Sequence, residues 1–298
     1  MFFKGREETV KIGFLGPKAT FTDIAVREVF PKEESVPYAT IPDCFDALIE
    51  DEIELAVVPL ENALEGSVNI TLDYLVHEVD LPIIAELTSP IRQHFMVHPD
   101  NKDSWKETEI VYSHSHAIAQ CHKFLHKELK GTPYKNTTST AAAAQFIKEH
   151  PEVRAGAIAN ELASKEYGLA IVRTDVHDVH YNHTRFIVLS KNHIPLSEDA
   201  SVLKGYKTTV MITLPSDRAG ALHQVLSAFA WRKLNLSKIE SRPMKTGLGN
   251  YFFIIDIDMK QDDVLIPGVV AELEALDCKV KILGSYPYYQ LGLETSRQ

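Results

Sequence analysis

The sequence predicts an α/β protein in which a two-lobed domain is followed by a smaller domain of βαββαβ order. First, strand-like apolar runs alternate with helix-like segments from residue 10 onward, which is typical of parallel sheets covered by helices. Second, two long β-rich stretches, residues 81–99 and 170–190, interrupt this alternation and indicate crossings between two lobes. Third, residues 191–205 contain Pro, Ser, Asp and Gly without a regular pattern, which indicates a linker.

Each lobe has its own set of predicted elements. The first lobe has predicted strands over 10–16 and 54–60 and predicted helices over 22–30, 44–52 and 66–79. The second lobe has predicted strands over 110–115 and 154–160 and predicted helices over 116–129, 140–150 and 161–168. The two-lobed domain is expected to span 1–195, with one lobe formed by 8–85 and 173–190 and the other by 86–172. We expect a ligand cleft between the lobes, where such sheets present the carboxyl ends of their strands.

The segment after the linker is compact. It has predicted strands over 207–215, 236–244, 250–259 and 278–287 and predicted helices over 220–234 and 264–276. This order in fewer than 100 residues is the ferredoxin-like arrangement, in which an antiparallel sheet carries both helices on one face. The second domain is therefore predicted over residues 205–290.

The charge distribution limits the partners. The chain has 298 residues and a net charge of -10; residues 1–200 hold 19 Lys+Arg against 31 Asp+Glu, whereas residues 201–298 hold 12 against 10. An acidic first domain without a basic stripe argues against nucleic acid as a partner. An anionic small molecule bound there would need a well-placed arginine or helix N-termini. No apolar run approaches the roughly 18 to 20 residues of a membrane span, and none resembles a signal peptide, so we expect a cytoplasmic protein that binds no membrane.

Cysteines and histidines give no sign of a metal site. Cys44, Cys121 and Cys278 are far apart in the sequence, which predicts reduced, buried thiols rather than disulfides or a zinc site. None of the 13 histidines is part of an HExxH motif, and carboxylates or thiols do not cluster with them. No GxSxG motif is present for a Ser-His-Asp mechanism. We therefore expect no metal.

Polar side chains follow several predicted strands where the next helix begins. They belong to GPKATFTD with Thr20 or Thr22, PLENALEGS with Glu61 and Asn62, YSHSH with Ser113 and His114, and STAAAA with Ser139 or Thr140. Each hydroxyl alone could be an ordinary helix cap. Several such junctions facing one cleft are also suited to hold carboxylates on free N–H groups.

The stretch YNHTRFIVLS at 181–190 places Thr184 and Arg185 directly before an apolar run that has the composition of a buried strand. Loops at strand ends are where function usually lies, and this stretch belongs to the return crossing at the cleft. Arg185 could bind a carboxylate bidentately, or it could form a salt bridge between the two crossings.

Taken in order, these motifs resemble prephenate dehydratase over nearly the full length of the chain. The matching stretches are GPKATFT, VPLENALEGSV, SHSHAIAQC, STAAAA and NHTRF, and then GALHQVLSAFAWRKLNLSKIESRP in a segment that resembles an ACT regulatory domain. The resemblance implies a periplasmic-binding-protein-like catalytic fold. It also implies a lyase of phenylalanine biosynthesis that converts prephenate to phenylpyruvate with loss of carbon dioxide and the ring hydroxyl, without a cofactor.

The resemblance implies roles for individual residues. Thr184 would be the principal catalytic residue, a hydroxyl that donates a hydrogen bond to the leaving oxygen. Arg185 would anchor a substrate carboxylate beside it, and Glu61 would orient its neighbours. The expected substrate-binding residues are Thr20, Phe21, Asn62, Ser113, His114, Thr140, Asn182 and Phe186.

The sequence departs from the family pattern at two motifs. The serine-histidine motif usually continues Pro-Gln, whereas Ser115 and His116 stand here, and His116 can titrate where glutamine cannot. The N-terminal motif usually has glycine where Ala19 stands, which matters if the backbone needs a positive φ there.

By resemblance, the C-terminal domain would bind phenylalanine as a feedback effector between paired copies. The residues expected to form that site are Gly220, Ala221, Leu222, Glu240, Ser241 and Arg242. Their alternative interpretation is a turn, a helix cap and surface charges. An unpaired sheet edge favours association of copies, so we expect a homodimer or homotetramer.

Two alternative functions remain open from the sequence. Arogenate dehydratase shares these motifs, and Glu61 or Glu65 could bind the amine of its substrate. A non-catalytic bilobed ligand-binding protein would have the same fold, because donors that hold a carboxylate need not catalyse a reaction.

Overall fold

A computed structural model describes residues 9–192, 194, 196, 202–216, 219–244 and 251–292. Several predicted boundaries lie outside the described residues. They are the domain starts at residues 1 and 8, part of the linker, and the strand start at residue 250. None of the helices in the described part of the chain is both long enough and apolar enough to cross a membrane.

The first lobe has a parallel sheet core with helices packed on it. Its strands are β1 (Lys11–Leu15), β2 (Glu34–Tyr38), β3 (Leu55–Asn62), β4 (Gly66–Ser67) and β5 (Ile83–Pro90), and its helices are α1 (Phe21–Val29), α2 (Ile41–Ile49) and α3 (Asn69–Asp73). Strand β1 pairs in parallel with β2 and with β3. The predicted helix over 66–79 is wrong at its start, because residues 66–67 form β4, and α3 continues as a π-helical turn over Tyr74–Glu78.

The second lobe forms a separate five-stranded sheet in the order β10-β6-β9-β7-β8. Its strands are β6 (His94–Val97), β7 (Ile110–Ser113), β8 (Tyr134–Asn136), β9 (Ala155–Ala159) and β10 (Ala170–Arg173), and its helices are α4 (Ser115–Gln120), α5 (His122–Glu128), α6 (Thr140–Glu149) and α7 (Glu161–Tyr167). The single helix predicted over 116–129 is interrupted at Cys121, where the backbone leaves the helical region with φ -117° and ψ 22°. The alanines of α6 allow it to pack closely on β9 and β7.

The chain returns to the first lobe in β11 (His183–Leu189), which lies between β3 and β5 and is antiparallel to both. Its residues Ile187–Leu189 are fully buried, as the apolar run predicted. The pairing of β11 with β3 shifts register between Arg185 and Phe186, so a β-bulge lies beside the functional stretch.

The C-terminal segment forms β12 (Leu203–Thr213), α8 (Ala221–Ala230), β13 (Leu236–Pro243), β14 (Tyr251–Ile257), α9 (Leu265–Ala275) and β15 (Lys279–Gln290). This is the predicted βαββαβ order, with an antiparallel sheet in the order β13-β14-β12-β15. One face packs against α8 and α9 through a core that contains Ile212, Phe229 and Leu273. The other face packs against the first lobe, since Phe252 and Ile254 share a core with Leu72.

The two domains share one continuous sheet. Strand β15 pairs in parallel with β5, with Tyr288 opposite Glu86, so the ferredoxin-like sheet extends the sheet of the first lobe. As a result, the strands β3 and β11 have the cleft on one side and the C-terminal domain on the other.

Candidate functional site

The two lobes enclose a cleft of about 570 Å³. It lies at the carboxyl ends of β1 and β3, beside the first turns of α1, α4 and α6, and β11 forms part of its floor. This volume falls in the usual range for small-molecule sites. Seven of the residues predicted from the sequence line the cleft, namely Thr20, Phe21, Asn62, His114, Thr140, Thr184 and Phe186.

A hydrogen bond between Asn62 and Thr184 joins β3 to β11 at the floor of the cleft. The Nδ2 atom of Asn62 donates to the Oγ1 atom of Thr184 at 2.9 Å. The Oδ1 atom of Asn62 accepts the backbone N–H groups of Leu64 at 3.0 Å and Glu65 at 3.2 Å, which fixes the orientation of the amide. Because the Thr184 oxygen already accepts a hydrogen bond, its own hydrogen is available to donate into the cleft.

Two helices begin at the cleft and offer positive N-terminal ends. Helix α1 is capped by Thr20, which accepts the N–H of Asp23 at 3.3 Å, and α6 is capped by Ser139, which accepts the N–H of Ala142 at 3.0 Å. The helices are 9 and 10 residues long, and the two caps lie in different lobes. Free N–H groups and the helix dipole together favour an anionic group at each position.

The cleft has no basic side chain that could replace these helix ends. Within the described ranges, no lysine or arginine lines the cleft, and its one carboxylate is that of Glu65. The first helix turns and the neutral donors around them are therefore the features that can bind an anion in this acidic domain.

The position of Arg185 differs from the one predicted for a residue that anchors a substrate carboxylate in the cleft. Adjacent strand residues point to opposite faces, so Arg185 lies behind the sheet while Thr184 faces the cleft. Its guanidinium donates to Glu61 at 2.7 Å, to Glu86 at 2.5 Å and to Asp256 at 2.6 Å. Burial disfavours the charge of Arg185, but Glu86 and Asp256 outweigh it and raise its pKa. The salt-bridge alternative agrees with this geometry, although the partners include the C-terminal domain.

Ser113 and Asn182 also lie outside the cleft, contrary to the prediction that they contact substrate. Ser113 is fully buried at the end of β7 and donates to the carbonyl of Ile158 at 2.6 Å, which joins β7 to β9. Asn182 donates to the Oε1 atom of Gln120 at 3.1 Å and lines a second cavity between the domains. It therefore orients a cleft residue instead of facing the cleft itself.

The polar residues that line the cleft also include Gln93, His116 and Gln120, which the sequence analysis did not assign to a substrate, and Glu65, which it considered only for the amine of arogenate. Glu65 of the first lobe accepts a hydrogen bond from Gln120 of the second lobe at 3.3 Å, and its other oxygen lies 3.6 Å from Nδ1 of His116. Gln120 is the next-to-last residue of the SHSHAIAQC stretch, so that motif contained the signal. No motif contains Gln93, which lies on the first crossing.

Gln93 has a distinctive environment. The residue is 3% exposed, and its Oε1 atom is buried with no hydrogen-bond partner. A buried carbonyl oxygen without a donor is costly, so Gln93 is suited to accept a hydrogen bond from a ligand in the cleft.

Two buried histidines, His94 and His177, and the partly buried His114 are hydrogen-bond acceptors in this region. Nδ1 of His114 accepts the N–H of His116 at 3.4 Å, Nδ1 of His94 accepts that of Asp175 at 3.1 Å, and Nδ1 of His177 accepts that of Gln93 at 3.3 Å. Burial lowers the pKa of each imidazole. They are therefore neutral at pH 7.

The described residues contain no group of three or more His, Cys, Asp or Glu side chains that could hold a metal ion. Cys44, Cys121 and Cys278 are buried and form no disulfide, and burial raises the pKa of Cys44 to about 12. At neutral pH this thiol is protonated and unreactive.

The departure at Ala19 has a structural consequence. Ala19 has φ 63°, in the left-handed region that favours glycine. Its N–H donates to Asp23 at 2.6 Å, and its carbonyl accepts from Asn160 at 2.8 Å. These bonds fix the turn before α1 and join it to the second lobe.

Within one copy, the six residues predicted for an effector site between paired copies lie in two separate places. Gly220, Ala221 and Leu222 line a cavity of about 410 Å³ at the start of α8, and Gly220 has φ 85° there. Glu240 and Arg242 point the other way, toward the first lobe: Glu240 accepts from Ser67 at 2.6 Å, and Arg242 donates to Asn69 at 2.8 Å. Ser241 is exposed on the edge strand β13.

The cleft and the shared sheet define a two-lobed α/β protein with a small-molecule site and an appended ferredoxin-like domain. Comparison with known proteins gives the family. A model of the prephenate dehydratase family matches residues 12–194, and a model of the ACT domain matches residues 208–277. The prephenate dehydratase of Bacillus subtilis is 57% identical over 285 residues, which cover 95% of this chain and 100% of that protein.

Solved structures give the same result. Prephenate dehydratase from Arthrobacter aurescens in complex with L-Phe has a TM-score of 0.82 at 33% identity and covers 93% of this chain and 90% of its own. Prephenate dehydratase from Staphylococcus aureus has a TM-score of 0.77 at 31% identity and covers 93% and 99%. The chain belongs to the prephenate dehydratase family and has a C-terminal ACT domain. The predicted family, enzyme class and fold class are confirmed.

Proposed function

We propose that the cleft catalyses the decarboxylating dehydration of prephenate to phenylpyruvate. The observation that carries this proposal is the fixed Asn62–Thr184 pair, which presents a hydroxyl hydrogen to the cleft floor. Prephenate carries two carboxylates, a ketone and one ring hydroxyl. A cleft that converts this dianion must bind two anionic groups and assist the departure of the ring oxygen.

The helix N-termini support the binding of the two carboxylates. The caps at Thr20 and Ser139 lie in opposite lobes, and Thr140 adds a hydroxyl beside the second. A substrate with one carboxylate at each helix end would bridge the lobes and favour closure of the cleft. This arrangement compensates for the absence of a basic side chain among the described cleft residues.

The ring hydroxyl is the only hydrogen-bond donor on prephenate, and Gln93 is a cleft residue with a buried acceptor that lacks a partner. We place the hydroxyl between Gln93, which accepts its hydrogen, and Thr184, which donates to its oxygen. The first contact orients the leaving group. The second strengthens as negative charge develops on the oxygen, so it stabilises the transition state.

The bond changes balance without a cofactor. The bond between the ring and its carboxylate breaks, and carbon dioxide leaves. The released electron pair moves through the ring, which becomes aromatic, and the carbon–oxygen bond breaks to release hydroxide, which takes a proton to become water. Thr184 is too weak an acid to be the net proton source, and its role is the hydrogen bond to the departing oxygen.

The test is phenylpyruvate formation from prephenate, measured by ultraviolet absorbance in alkali. Thr184→Val keeps the side-chain shape and removes the hydroxyl, and we expect kcat to fall by about 10²–10³, the usual effect of removing one transition-state donor. Thr132→Val is the matched control, because Thr132 donates to the carbonyl of Thr108 away from the cleft. Near-normal turnover by Thr184→Val would refute the assignment.

One observation favours a second substrate. Arogenate has an amine where prephenate has a ketone, and the carboxylate of Glu65 lines the cleft. Arogenate is therefore assayed in parallel, and failure of both substrates would leave the non-catalytic ligand-binding alternative.

We further propose that phenylalanine binds at the Gly220–Leu222 cavity of the ACT domain and inhibits turnover. The cavity is open and lined by Leu214, Leu226 and Phe253, which suits an aromatic side chain. The adjacent exposed residue Leu222 and the unpaired edge of β13 support a homodimer or homotetramer through this domain. Suppression of turnover by phenylalanine and sedimentation of the purified protein test these two statements.

The predicted domain limits, 1–195 with its two lobes and 205–290, remain proposals, as does a cytoplasmic location. Limited proteolysis within the 191–205 linker tests the first, and fractionation of the host cell tests the second.

A further inference from the structure

The ACT domain contacts the back of the two strands whose front faces carry Asn62 and Thr184. Side chains alternate between the two faces of a strand, so the neighbours Glu61 and Arg185 point away from the cleft. They lie opposite each other in the β3–β11 ladder and form an ion pair at 2.7 Å. Each also bonds to a residue of the ACT domain.

Asp256 of β14 bonds to Arg185. The distance from its Oδ2 atom to the Nη2 atom of Arg185 is 2.6 Å. Its Oδ1 atom accepts the hydroxyl of Thr209 at 2.7 Å, and that hydroxyl lies 2.6 Å from the hydroxyl of Tyr286. As whole residues, Asp256 and Tyr286 are each 1% exposed, and Tyr286 belongs to the core shared with the first lobe, so this contact is buried between the two domains and shielded from solvent.

Lys238 of β13 bonds to Glu61. Its Nζ atom lies 3.0 Å from Oε2 of Glu61 and 3.0 Å from Oγ of Ser67, a residue that lines the cleft. Ser67 in turn donates to Glu240 at 2.6 Å. Burial opposes ionisation of Glu240, but the hydrogen bonds from Ser67 and Lys238 outweigh it and lower its pKa.

The ladder between β11 and β3 is interrupted beside Thr184. The pairing changes register between Arg185 and Phe186, one residue after Thr184, whereas the pairing of β11 with β5 is regular there. On the β3 side, the position of Thr184 therefore depends also on the contacts of its direct neighbour. Arg185 bonds to Glu61 and Glu86 of the first lobe and to Asp256 of the ACT domain.

We propose that Asp256 and Lys238 are positioning residues for the dehydration. They hold Arg185 and Glu61, and through these neighbours they keep the Asn62–Thr184 pair aligned with the leaving oxygen. The ACT domain thus supplies part of the support of the catalytic site even without an effector. This inference rests on the proposed function, because it uses the role of Thr184.

The first test is the kinetics of Asp256→Asn and Lys238→Met with prephenate. We expect kcat to fall about tenfold in each, since small displacements of a catalytic group are costly. KM should stay within about twofold, because the helix ends that bind the carboxylates are elsewhere in the cleft. Glu272→Gln is the matched control: Glu272 bonds to Arg232 at 2.6 Å wholly within the ACT domain, and kcat should not change.

The second test separates positioning from general damage. In the Thr184→Val background, Asp256→Asn should cause no further loss of kcat, because the group that it positions is gone. The same fold loss in both backgrounds would overturn the proposal, as would a normal kcat in Asp256→Asn or an equal loss in Glu272→Gln.

A third variant covers the case in which Asp256→Asn does not fold. Thr209→Val removes one hydrogen bond to Asp256 and keeps every charge, and we expect a smaller loss of kcat with the same dependence on Thr184. A normal kcat in both Thr209→Val and Lys238→Met would overturn the inference. The wild-type protein is the reference throughout, so its failure to turn over prephenate would refute the proposed function separately.

Discussion

Replacing Arg185 by methionine distinguishes a structural guanidinium from a substrate anchor. The side chain of Arg185 is 13% exposed, and its partners Glu86 and Asp256 are 1% and 2% exposed. Methionine preserves much of the apolar volume and removes the charge. Glu86 would keep its ion pair with Lys207 at 2.7 Å, whereas Asp256 would lose the guanidinium and keep the hydrogen bond from Thr209.

The expected loss of stability follows from the carboxylate of Asp256, which would lack its guanidinium partner. Removing one partner of a buried ion pair usually destabilises a protein by about 3–5 kcal/mol, and we expect Arg185→Met to lie in this range at pH 7.5.

The assay is urea unfolding at pH 7.5 followed by circular dichroism, together with KM for prephenate. Arg154→Met is the control, because Arg154 and Glu107 form an ion pair of 3.0 Å whose side chains are 58% and 64% exposed. Such a surface pair contributes at most about 1 kcal/mol. Unchanged stability of Arg185→Met with a KM raised tenfold would refute the structural role and restore Arg185 as a substrate anchor.

Three further predictions concern the cleft. Gln93→Met should raise KM for prephenate several-fold but leave inhibition by phenylpyruvate unchanged, because the product lacks the hydroxyl whose hydrogen Gln93 accepts. Equally weaker binding of prephenate and of phenylpyruvate would contradict this contact. Because burial lowers the folded-state pKa of His94, His114 and His177 below their ordinary value of about 6.5, the unfolded state binds more protons, and the free energy of unfolding should fall as pH drops from 7 to 5. Urea titrations at several pH values check this trend, and a flat profile would count against it. Glu65→Gln should lower KM for prephenate, since it removes a carboxylate from a cleft that binds a dianion, and an increased KM would show that Glu65 helps to bind the substrate.

Local sequence patterns predicted most of the elements but not the short or interrupted ones. Strand β2 contains Pro37, lies at the sheet edge and is only partly buried, so it lacks the apolar alternation that marks a strand. The break at Cys121 and the π-helical turn after α3 depend on tertiary packing that periodicity does not record. The polar residues at the ends of β1 and β3 were predictable, because strand ends in such folds meet at one cleft.

The sequence alone could not predict how the ACT domain is oriented on the first lobe. Glu240 and Arg242 lie within the strand predicted over 236–244, and nothing local indicates which face of that strand meets another domain. Their partners Ser67 and Asn69 are more than 170 residues away in the chain. The contacts of these charges with the first lobe become visible only when the ACT sheet is packed on that lobe.

The placement of Arg185, in contrast, could have been derived from the sequence. Thr184 and Arg185 are adjacent at the start of a run predicted as a strand, and adjacent strand residues point to opposite faces. If Thr184 faces the cleft, Arg185 must face the other side, where a guanidinium beside a buried sheet needs carboxylates. The alternation of side chains along the strand therefore already argued against Thr184 and Arg185 both acting on the substrate, and it favoured the salt bridge of Arg185. The same reasoning applied to Asn62 places Glu61 behind the sheet, so the pair that reacts and the ion pair that supports it are successive residues of the same two strands.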